Sequence, residues 1–264
     1  MFFAVDEEGG TVTRVSSYSS FRDNKFDSPQ DIYNQGGIDA IISDSEEKSN
    51  LLRSIGINMN LAPVADMPTD TSSFIYKRSL GRGVEETSNY IAEVVKKMNA
   101  DGMISCIKHF PGYGDNVDTH TGIAIDERDY SVFEENDFKP FISGINNNAP
   151  VILVNHNIVN CMDSELPASL SKNVHKILRD NLNFSGLIIT DDLAMDAVKK
   201  YTSDGNAAVQ AIIAGNDLII SSDFINQKKE ILNAIDEGII SEEQINDAVR
   251  RVLACKIAYK IIDN

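Results

Sequence analysis

Six short apolar segments alternate with longer segments of helical periodicity, and this alternation most constrains the fold. The apolar segments span residues 2–5, 57–64, 103–107, 150–154, 186–190 and 217–220. Most of them are almost continuously hydrophobic, which is typical of parallel strands covered on both faces. The helical candidates span residues 38–52, 84–98, 130–145, 171–182, 205–213, 224–235 and 241–262. This alternation predicts an α/β chain of the (β/α)8 TIM-barrel type.

The number of predicted strands falls short of a closed barrel, which has eight. The long stretch of residues 16–37 is polar and rich in Ser, Asn, Asp and Gly, so we interpret it as a loop and not as two further strands. We therefore expect a barrel that is incomplete at its N-terminus, with six strands. No Pro-rich or Ser-rich linker divides the chain, and residues 1–264 are predicted to form a single barrel domain.

Charge and composition exclude several classes of function. The chain has 24 Lys and Arg residues against 40 Asp and Glu residues, a formal net charge of −16 that repels phosphate, so nucleic acid is not expected as a partner. Cys106, Cys161 and Cys255 are widely spaced, and we interpret them as buried small hydrophobic residues. No apolar run is long enough to span a membrane.

The N-terminus bears on the compartment. No signal peptide precedes the first strand, so the chain as written predicts a cytoplasmic protein. Most domains begin with a frayed terminus and not with a strand. If the natural N-terminus is missing, a secreted or cell-envelope location stays open.

Polar residues follow the predicted strands at the points where the strands end. Asp6 follows the first strand, Lys108 and His109 the third, His156 the fourth and Asp191 the fifth. In a βα array these positions share one rim, and function concentrates there. We expect His156 to contact either the ligand or the surrounding protein.

Residues 108–122 form the richest of these segments. Asp118 and His120 can meet if the loop turns tightly, and a carboxylate fixes the tautomer of a histidine and raises its basicity. A metal site is an alternative, since His109 and Asp115 add further nitrogen and oxygen ligands. A loop without a catalytic role is the second alternative.

Asp191 and Asp192 are adjacent at the end of a predicted strand. Because side chains alternate along a strand, the two carboxylates are not expected to serve the same pocket. We predict that one attacks or binds a substrate, whereas the other caps the short helix that follows.

Several motifs occur in one order along the chain: Val5-Asp6-Glu7-Glu8-Gly9-Gly10 with Arg14, Asn60-Leu61-Ala62-Pro63-Val64, Arg78-Ser79, the segment 108–122, and Thr190-Asp191-Asp192-Leu193-Ala194-Met195. In these motifs the sequence resembles the N-acetyl-β-glucosaminidase (beta-hexosaminidase) branch of the family 3 glycoside hydrolases. Tyr113 departs from the pattern, because many relatives carry histidine there. Relatives also have two barrel strands before the first motif, so the resemblance implies that this chain lacks both.

The resemblance implies a retaining, exo-acting β-N-acetylglucosaminidase that removes terminal non-reducing N-acetylglucosamine from peptidoglycan-derived or related glycosides. It implies that Asp191 is the nucleophile and that His120 with Asp118 is the general acid and base. It also implies a small carbohydrate as partner, without a cofactor or a metal. The implied sugar contacts are Asp6, Arg14, Arg78, Lys108 and His109.

Two alternatives to hydrolysis remain open. The same residues would serve a β-N-acetylglucosaminide phosphorylase, in which phosphate resolves the intermediate. The chain could also be a truncated, inactive or sugar-binding barrel, whose open edges would favour self-association.

Other polar residues are expected to have structural roles. The resemblance places Glu7 and Glu8 near the Gly-Gly turn as structural residues. His175, within a predicted helix, is expected at the surface, and the acidic run 44–47 is expected to be a solvated helix face.

Overall fold

The computed structural model of the chain describes residues 1–116, 118, 124–195, 198 and 207–263. The described strands are β1 (Ala4–Val5), β2 (Met59–Asn60), β3 (Ile104–Phe110), β4 (Ile125–Asp126), β5 (Val151–Val154), β6 (Ile158–Val159) and β7 (Leu187–Thr190). Five of them form a parallel, curled sheet in the order β1, β2, β3, β5, β7. The α/β fold of barrel type is therefore confirmed.

The sixth predicted strand extends this sheet without forming a regular strand. Leu218 makes a parallel bridge to Ile189, and the amide of Asp217 donates to the carbonyl of Ile188. The short parallel pair of β4 and β6 was not predicted. Each of these strands has only two residues, too few for a recognisable hydrophobic pattern.

Helices connect the strands of the sheet. Those described are α1 (Pro29–Ser54), α2 (Val84–Ala100), α3 (Tyr130–Val132), α4 (Phe138–Asn146), α5 (Lys172–Lys176), α6 (Ala207–Ala214), α7 (Phe224–Asp236) and α8 (Glu242–Ala258). A π-helical segment, Phe133–Asp137, joins α3 to α4, and a second one, Ile177–Asn181, continues α5. None of the helices within these described ranges has the length and hydropathy that a membrane crossing requires.

The stretch 16–37 contains no strand, which agrees with its interpretation as a loop up to residue 28. Beyond that point the interpretation is wrong, because α1 begins at Pro29. Ser28 caps the helix by accepting a hydrogen bond from the Asp31 amide at 3.2 Å. The backbone leaves helical geometry at Gly36 and Gly37, so α1 consists of two helical parts around a kink.

Both faces of the sheet are buried, and each face has its own core. Alternate strand residues, among them Met59, Cys106 and Leu153, form the core on one face, which α8 covers with Val252 and Cys255. The remaining strand residues pack against α1, α2 and α4 on the other face. Burial of both faces explains the nearly continuous hydrophobicity of the strands.

The N-terminus of α8 has one half of a capping box. Ser241 accepts a hydrogen bond from the Gln244 amide at 3.2 Å, as expected for a capping box. The Gln244 side chain does not return to Ser241, however, and instead donates to the carbonyl of Ile212. The tertiary contact with α6 therefore replaces half of the local motif.

Burial corrects three expectations about polar residues. His175 is buried, and its Nδ1 donates to the Ser171 carbonyl at 2.8 Å, so its expected place at the surface is wrong. Cys161 is exposed and Cys255 is only partly buried, so the expected burial of the cysteines holds for Cys106 alone. Asp44 packs inward against the Lys48 ammonium at 2.6 Å, so the acidic run is solvated only in part.

Candidate active site

Four predicted polar residues and Asp66, which was not predicted, lie at the carboxyl ends of the parallel strands. Asp6 follows β1, Asp66 lies six residues beyond β2, Lys108 and His109 are near the end of β3, and Asp191 follows β7 directly. Because all strands of the sheet are parallel, these ends meet on one rim. The shared direction of the strands therefore brings residues from four segments of the chain together.

Lys108 is a buried cation held by two carboxylates. Its Nζ lies 2.6 Å from Asp6 Oδ1 and 2.6 Å from Glu8 Oε1. Burial alone would lower the pKa of the ammonium, but the charges of Glu8 and Asp6 raise it above its usual value. Lys108 therefore carries a positive charge at neutral pH and is fixed in one orientation.

Glu8 joins Lys108 to a second cation. Arg78 donates to Glu8 from Nε at 2.9 Å and from Nη2 at 2.7 Å, in the two-pronged geometry typical of arginine and carboxylate. Burial would raise the pKa of Glu8, yet Lys108 and Arg78 lower it to about 2. Glu8 was not predicted as a site residue. Glu7 and Glu8 are adjacent, and the sequence does not indicate which of these two carboxylates faces the rim.

His109 is oriented from both sides of its ring. Nδ1 lies 2.7 Å from Asp66 Oδ2, and Nε2 lies 3.2 Å from Arg78 Nη2. A guanidinium can only donate, so Nε2 accepts and Nδ1 carries the hydrogen. Asp66 also accepts from the Tyr113 amide at 2.7 Å, and the Tyr113 ring contacts His109 edge-on at 5.0 Å between centroids.

Asp66 is a second site residue that was not predicted from the sequence. It follows a predicted strand, and this signal could have identified it in the same way as Asp6. The predicted strand 57–64 ends two residues before Asp66, so its place at the rim was visible in the sequence.

Asp191 is a half-buried carboxylate beside several nitrogen groups. Burial would raise its pKa, but His156 and His109, with a smaller effect from Lys108, lower it below its usual value. Its Oδ1 accepts a hydrogen bond from the Asp192 amide at 2.9 Å. Asp191 is therefore ionised at neutral pH, the state that nucleophilic attack or charge stabilisation requires.

Asp192 faces a different set of partners. Its carboxylate accepts from the Ala194 amide at 2.9 Å and from the amide and hydroxyl of Ser222. Asp192 thus binds the turn of residues 193–195, whereas the short helix that was predicted to follow lies largely outside the described residues. The two neighbouring carboxylates thus have separate environments.

Glu7 stabilises the conformation of the segment that precedes α1 by accepting hydrogen bonds from its main chain. Its Oε2 accepts from the Arg14 amide at 2.8 Å and from the Val15 amide at 2.7 Å, in agreement with a structural role. The Arg14 guanidinium is in the exposed part of this segment and donates to the Thr13 carbonyl at 3.2 Å. These contacts do not join Arg14 to the cluster around Lys108.

The predicted dyad falls only partly within the described residues. Asp118 is described and half-buried, whereas His120 lies outside them. Asp115, which the metal alternative requires, accepts from the amides of Thr69 and Asp70 at 2.8 Å each. In the part of the chain that the structure describes, no group of three or more His, Cys, Asp or Glu side chains has the arrangement of a metal site.

Arg128 connects the two ends of the segment that carries Asp118. Its guanidinium donates to the Gly112 carbonyl at 3.3 Å on one side and to Asp126 Oδ2 at 2.8 Å on the other. It also contacts Asp137 in the π-helical segment at 3.1 Å. The stem of this segment is therefore joined by partly buried ion pairs.

A parallel βα sheet with a buried charged cluster at its carboxyl rim defines a barrel-type enzyme with its site at the strand ends. The family profile described as "Glycosyl hydrolase family 3 N terminal domain" matches residues 1–255. The chain belongs to this family, and it is a glycoside hydrolase by that membership.

Curated relatives agree with the family. A beta-hexosaminidase of Nitrosomonas eutropha is 29% identical over 246 residues, which cover 89% of this chain and 68% of that protein. A beta-hexosaminidase of Idiomarina loihiensis is 31% identical over 266 residues, covering 96% of this chain and 76% of that protein.

A solved structure extends the similarity to the fold. The glycoside hydrolase family 3 beta-N-acetylglucosaminidase from Paenibacillus sp. str. FPU-7 has a TM-score of 0.91 and 29% identity to this chain. The match covers 100% of this chain and 51% of that one. The chain thus spans about half the length of this structural relative.

Proposed function

We propose that the chain is a retaining, exo-acting β-N-acetylglucosaminidase that acts through a glycosyl-Asp191 intermediate. The observation that carries the proposal is the half-buried, ionised Asp191 carboxylate beside the cluster of Lys108 and His109. The names of the relatives, beta-hexosaminidase and beta-N-acetylglucosaminidase, support the substrate class.

The reaction has two displacement steps. Asp191 attacks the anomeric carbon, and the bond to the leaving oxygen breaks as His120, paired with Asp118, donates a proton to that oxygen. His120 then removes a proton from water, which attacks the same carbon and releases Asp191. Histidine suits both roles because its ordinary pKa, about 6.5, lies close to neutral pH.

The remaining residues bind the sugar. Asp6, Lys108 and His109 offer a carboxylate, an ammonium and an imidazole at one rim, which together can accept and donate hydrogen bonds to hydroxyl groups. Arg78 and Arg14 complete the proposed set of sugar contacts. Terminal N-acetylglucosamine of peptidoglycan-derived fragments is the natural substrate that we propose.

The first experiment compares two neighbouring variants. The wild-type chain is expected to release 4-nitrophenol from its N-acetyl-β-glucosaminide, and Asp191→Asn is expected to lower kcat by about 10³-fold or more. Asp192→Asn keeps an acceptor oxygen for the turn and is expected to retain most of the activity. Activity lost in Asp192→Asn but kept in Asp191→Asn would contradict the assignment.

Product analysis tests the mechanism. Nuclear magnetic resonance of the first-formed sugar is expected to show the β-anomer, since two displacements retain configuration. The α-anomer as the first product would contradict the glycosyl-Asp191 intermediate. An N-acetylglucosamine 1-phosphate product that appears only when phosphate is present would identify a phosphorylase instead.

A further inference from the structure

His156 is a buried histidine with a protein partner at each ring nitrogen. It follows β5, and only 1% of it is exposed. Nδ1 lies 2.7 Å from Ser169 Oγ, and Nε2 lies 3.1 Å from the carbonyl oxygen of Asp192. Because both nitrogens face protein atoms, the ring has a defined orientation.

The geometry determines which nitrogen carries a hydrogen toward Asp192. A carbonyl oxygen can only accept, so Nε2 is the donor in this bond. Ser169 is itself held in place, since its amide donates to the Asn155 carbonyl at 3.0 Å and its carbonyl accepts from Asn216 Nδ2 at 2.8 Å. The partner of Nδ1 is therefore itself fixed by the main chain, which helps to hold the imidazole in one orientation.

A chain of hydrogen bonds connects His156 to the carboxylate of Asp191 through one residue, Asp192. His156 donates to the carbonyl of Asp192, and the amide of Asp192 donates to Asp191 Oδ1 at 2.9 Å. The amide of Asp191 donates to the Val154 carbonyl at 3.2 Å, which attaches the same turn to β5. Two hydrogen bonds thus connect the imidazole to the side chain of Asp191.

We propose that His156 is a positioning residue that orients Asp191 through the main chain of Asp192; this inference rests on the proposed function. A nucleophile reacts efficiently only when its atom is held close to the geometry of attack, and a displacement of about 1 Å can cost about 10²-fold in rate. His156 holds the main-chain carbonyl of Asp192 from the segment after β5, whereas Ser222 binds the Asp192 carboxylate.

The electrostatic surroundings provide a second readout of this role. The nitrogen groups that face Asp191 and lower its pKa are His156, His109 and Lys108, which act against burial. Removal of His156 is therefore expected to raise the pKa of Asp191. The acid limb of the pH profile of kcat/KM would then move to higher pH.

The experiment compares His156→Leu with His156→Gln. The glutamine amide can still donate to the Asp192 carbonyl, whereas leucine cannot. We expect His156→Leu to lower kcat/KM for the 4-nitrophenyl glycoside by about 10²-fold and to move the acid limb upward. His156→Gln should keep kcat/KM within about 10-fold of wild type, and inhibition by N-acetylglucosamine should be unchanged in both variants.

His175→Leu serves as the matched control. His175 is also buried, and its Nδ1 donates to a main-chain carbonyl, but that bond lies within the helix α5. Thermal unfolding of all variants shows whether they are folded at the assay temperature. An equal loss of kcat/KM in His175→Leu would point to packing and overturn the positioning role.

Further outcomes separate this inference from the proposed function. Weaker inhibition by N-acetylglucosamine in parallel with the loss of kcat/KM would show direct sugar contact by His156 and overturn the inference. An inactive wild type with no 4-nitrophenol release would contradict the proposed function. Crystal structures of wild type and His156→Leu decide the inference in that case, because an unmoved Asp191 carboxylate overturns it and a displaced one supports it.

Discussion

The carboxylate of Glu8 lies 2.6 Å from the ammonium nitrogen of Lys108, and both side chains are almost completely buried. Glu8 belongs to the turn after β1, whereas Lys108 belongs to β3. Their ion pair therefore joins two strands that are not adjacent, on opposite sides of β2. The rim of the sheet is held together by charge as well as by apolar packing.

Substitution of Glu8 tests how much this ion pair contributes to the free energy of unfolding. Glu8→Gln leaves the buried Lys108 and the partly buried Arg78 without their shared carboxylate and is expected to lower the free energy of unfolding by about 3–5 kcal/mol. Glu47→Gln is the control, because Glu47 is 55% exposed in its pair with Arg22 and should cost about 1 kcal/mol or less. Urea denaturation measures both, and equal losses would contradict a dominant role of burial.

The lowered pKa of Glu8 predicts acid sensitivity. The pKa is about 2 in the folded chain against an ordinary value of 4.5, so the stabilising contribution is complete above pH 4.5. It is lost as the pH falls from 4.5 toward 2. The stability difference between wild type and Glu8→Gln should therefore shrink over this window in acid unfolding curves. A constant difference would show that the charge of Glu8 is not the cause.

Asp137 should have the opposite pH dependence. Burial raises its pKa from 3.8 to about 6, although Arg128 acts in the other direction, so the folded chain favours the protonated form. The resulting penalty is complete above pH 6 and is relieved as the pH falls to 3.8.

The variant Asp137→Asn removes this titration while keeping an acceptor for Arg128. Relative to wild type, its stability should fall by up to about 3 kcal/mol between pH 7 and pH 4, since one pKa unit is worth about 1.4 kcal/mol. Urea denaturation at a series of pH values measures the change. The same relative stability at both ends of the series would contradict the raised pKa.

Gly9→Ala tests the turn that carries Asp6 and Glu8. Gly9 has φ +103°, and an added Cβ would lie 2.2 Å from the Asp27 carbonyl oxygen, so the turn must shift. Gly238 has φ +73° with no atom within 4 Å of an added Cβ, and it is the matched control.

The two alanine variants separate backbone strain from the clash. Gly238→Ala should cost about 1–2 kcal/mol through its positive φ alone. Gly9→Ala should cost at least about 2 kcal/mol more and should raise KM, because the clash displaces residues of the rim. Thermal unfolding and steady-state kinetics measure these effects, and equal costs would argue against the close approach of Gly9 to Asp27.

The strands were predictable because burial on both faces produces continuous apolar segments, as in residues 150–154. The start of α1 at Pro29 was not predictable from hydrophobic periodicity, since the kink at Gly36 and Gly37 interrupts the pattern. The π-helical segment Phe133–Asp137 left the helical pattern around it recognisable. Prediction failed mainly where elements are very short or interrupted.

Within the candidate site, the sequence by itself determined which residues lie at the strand ends, because strand direction and side-chain alternation are local properties. Asp6, Lys108, His109 and Asp191 were found in this way. Tertiary structure alone decided that Glu8 is the carboxylate shared by two cations, since that pairing depends on which side chains meet across β2.

The same distinction applies to the buried polar residues. Their residue types indicate chemistry, but the partner of each group is selected by packing between distant segments, which no local pattern contains. Asp66 became the partner of His109 only when parallel strands brought their ends together, and Ser169 became that of His156 only when the connection after β5 folded back on itself. Burial then made these bonds strong, because an unpaired polar group in a low-dielectric interior is costly.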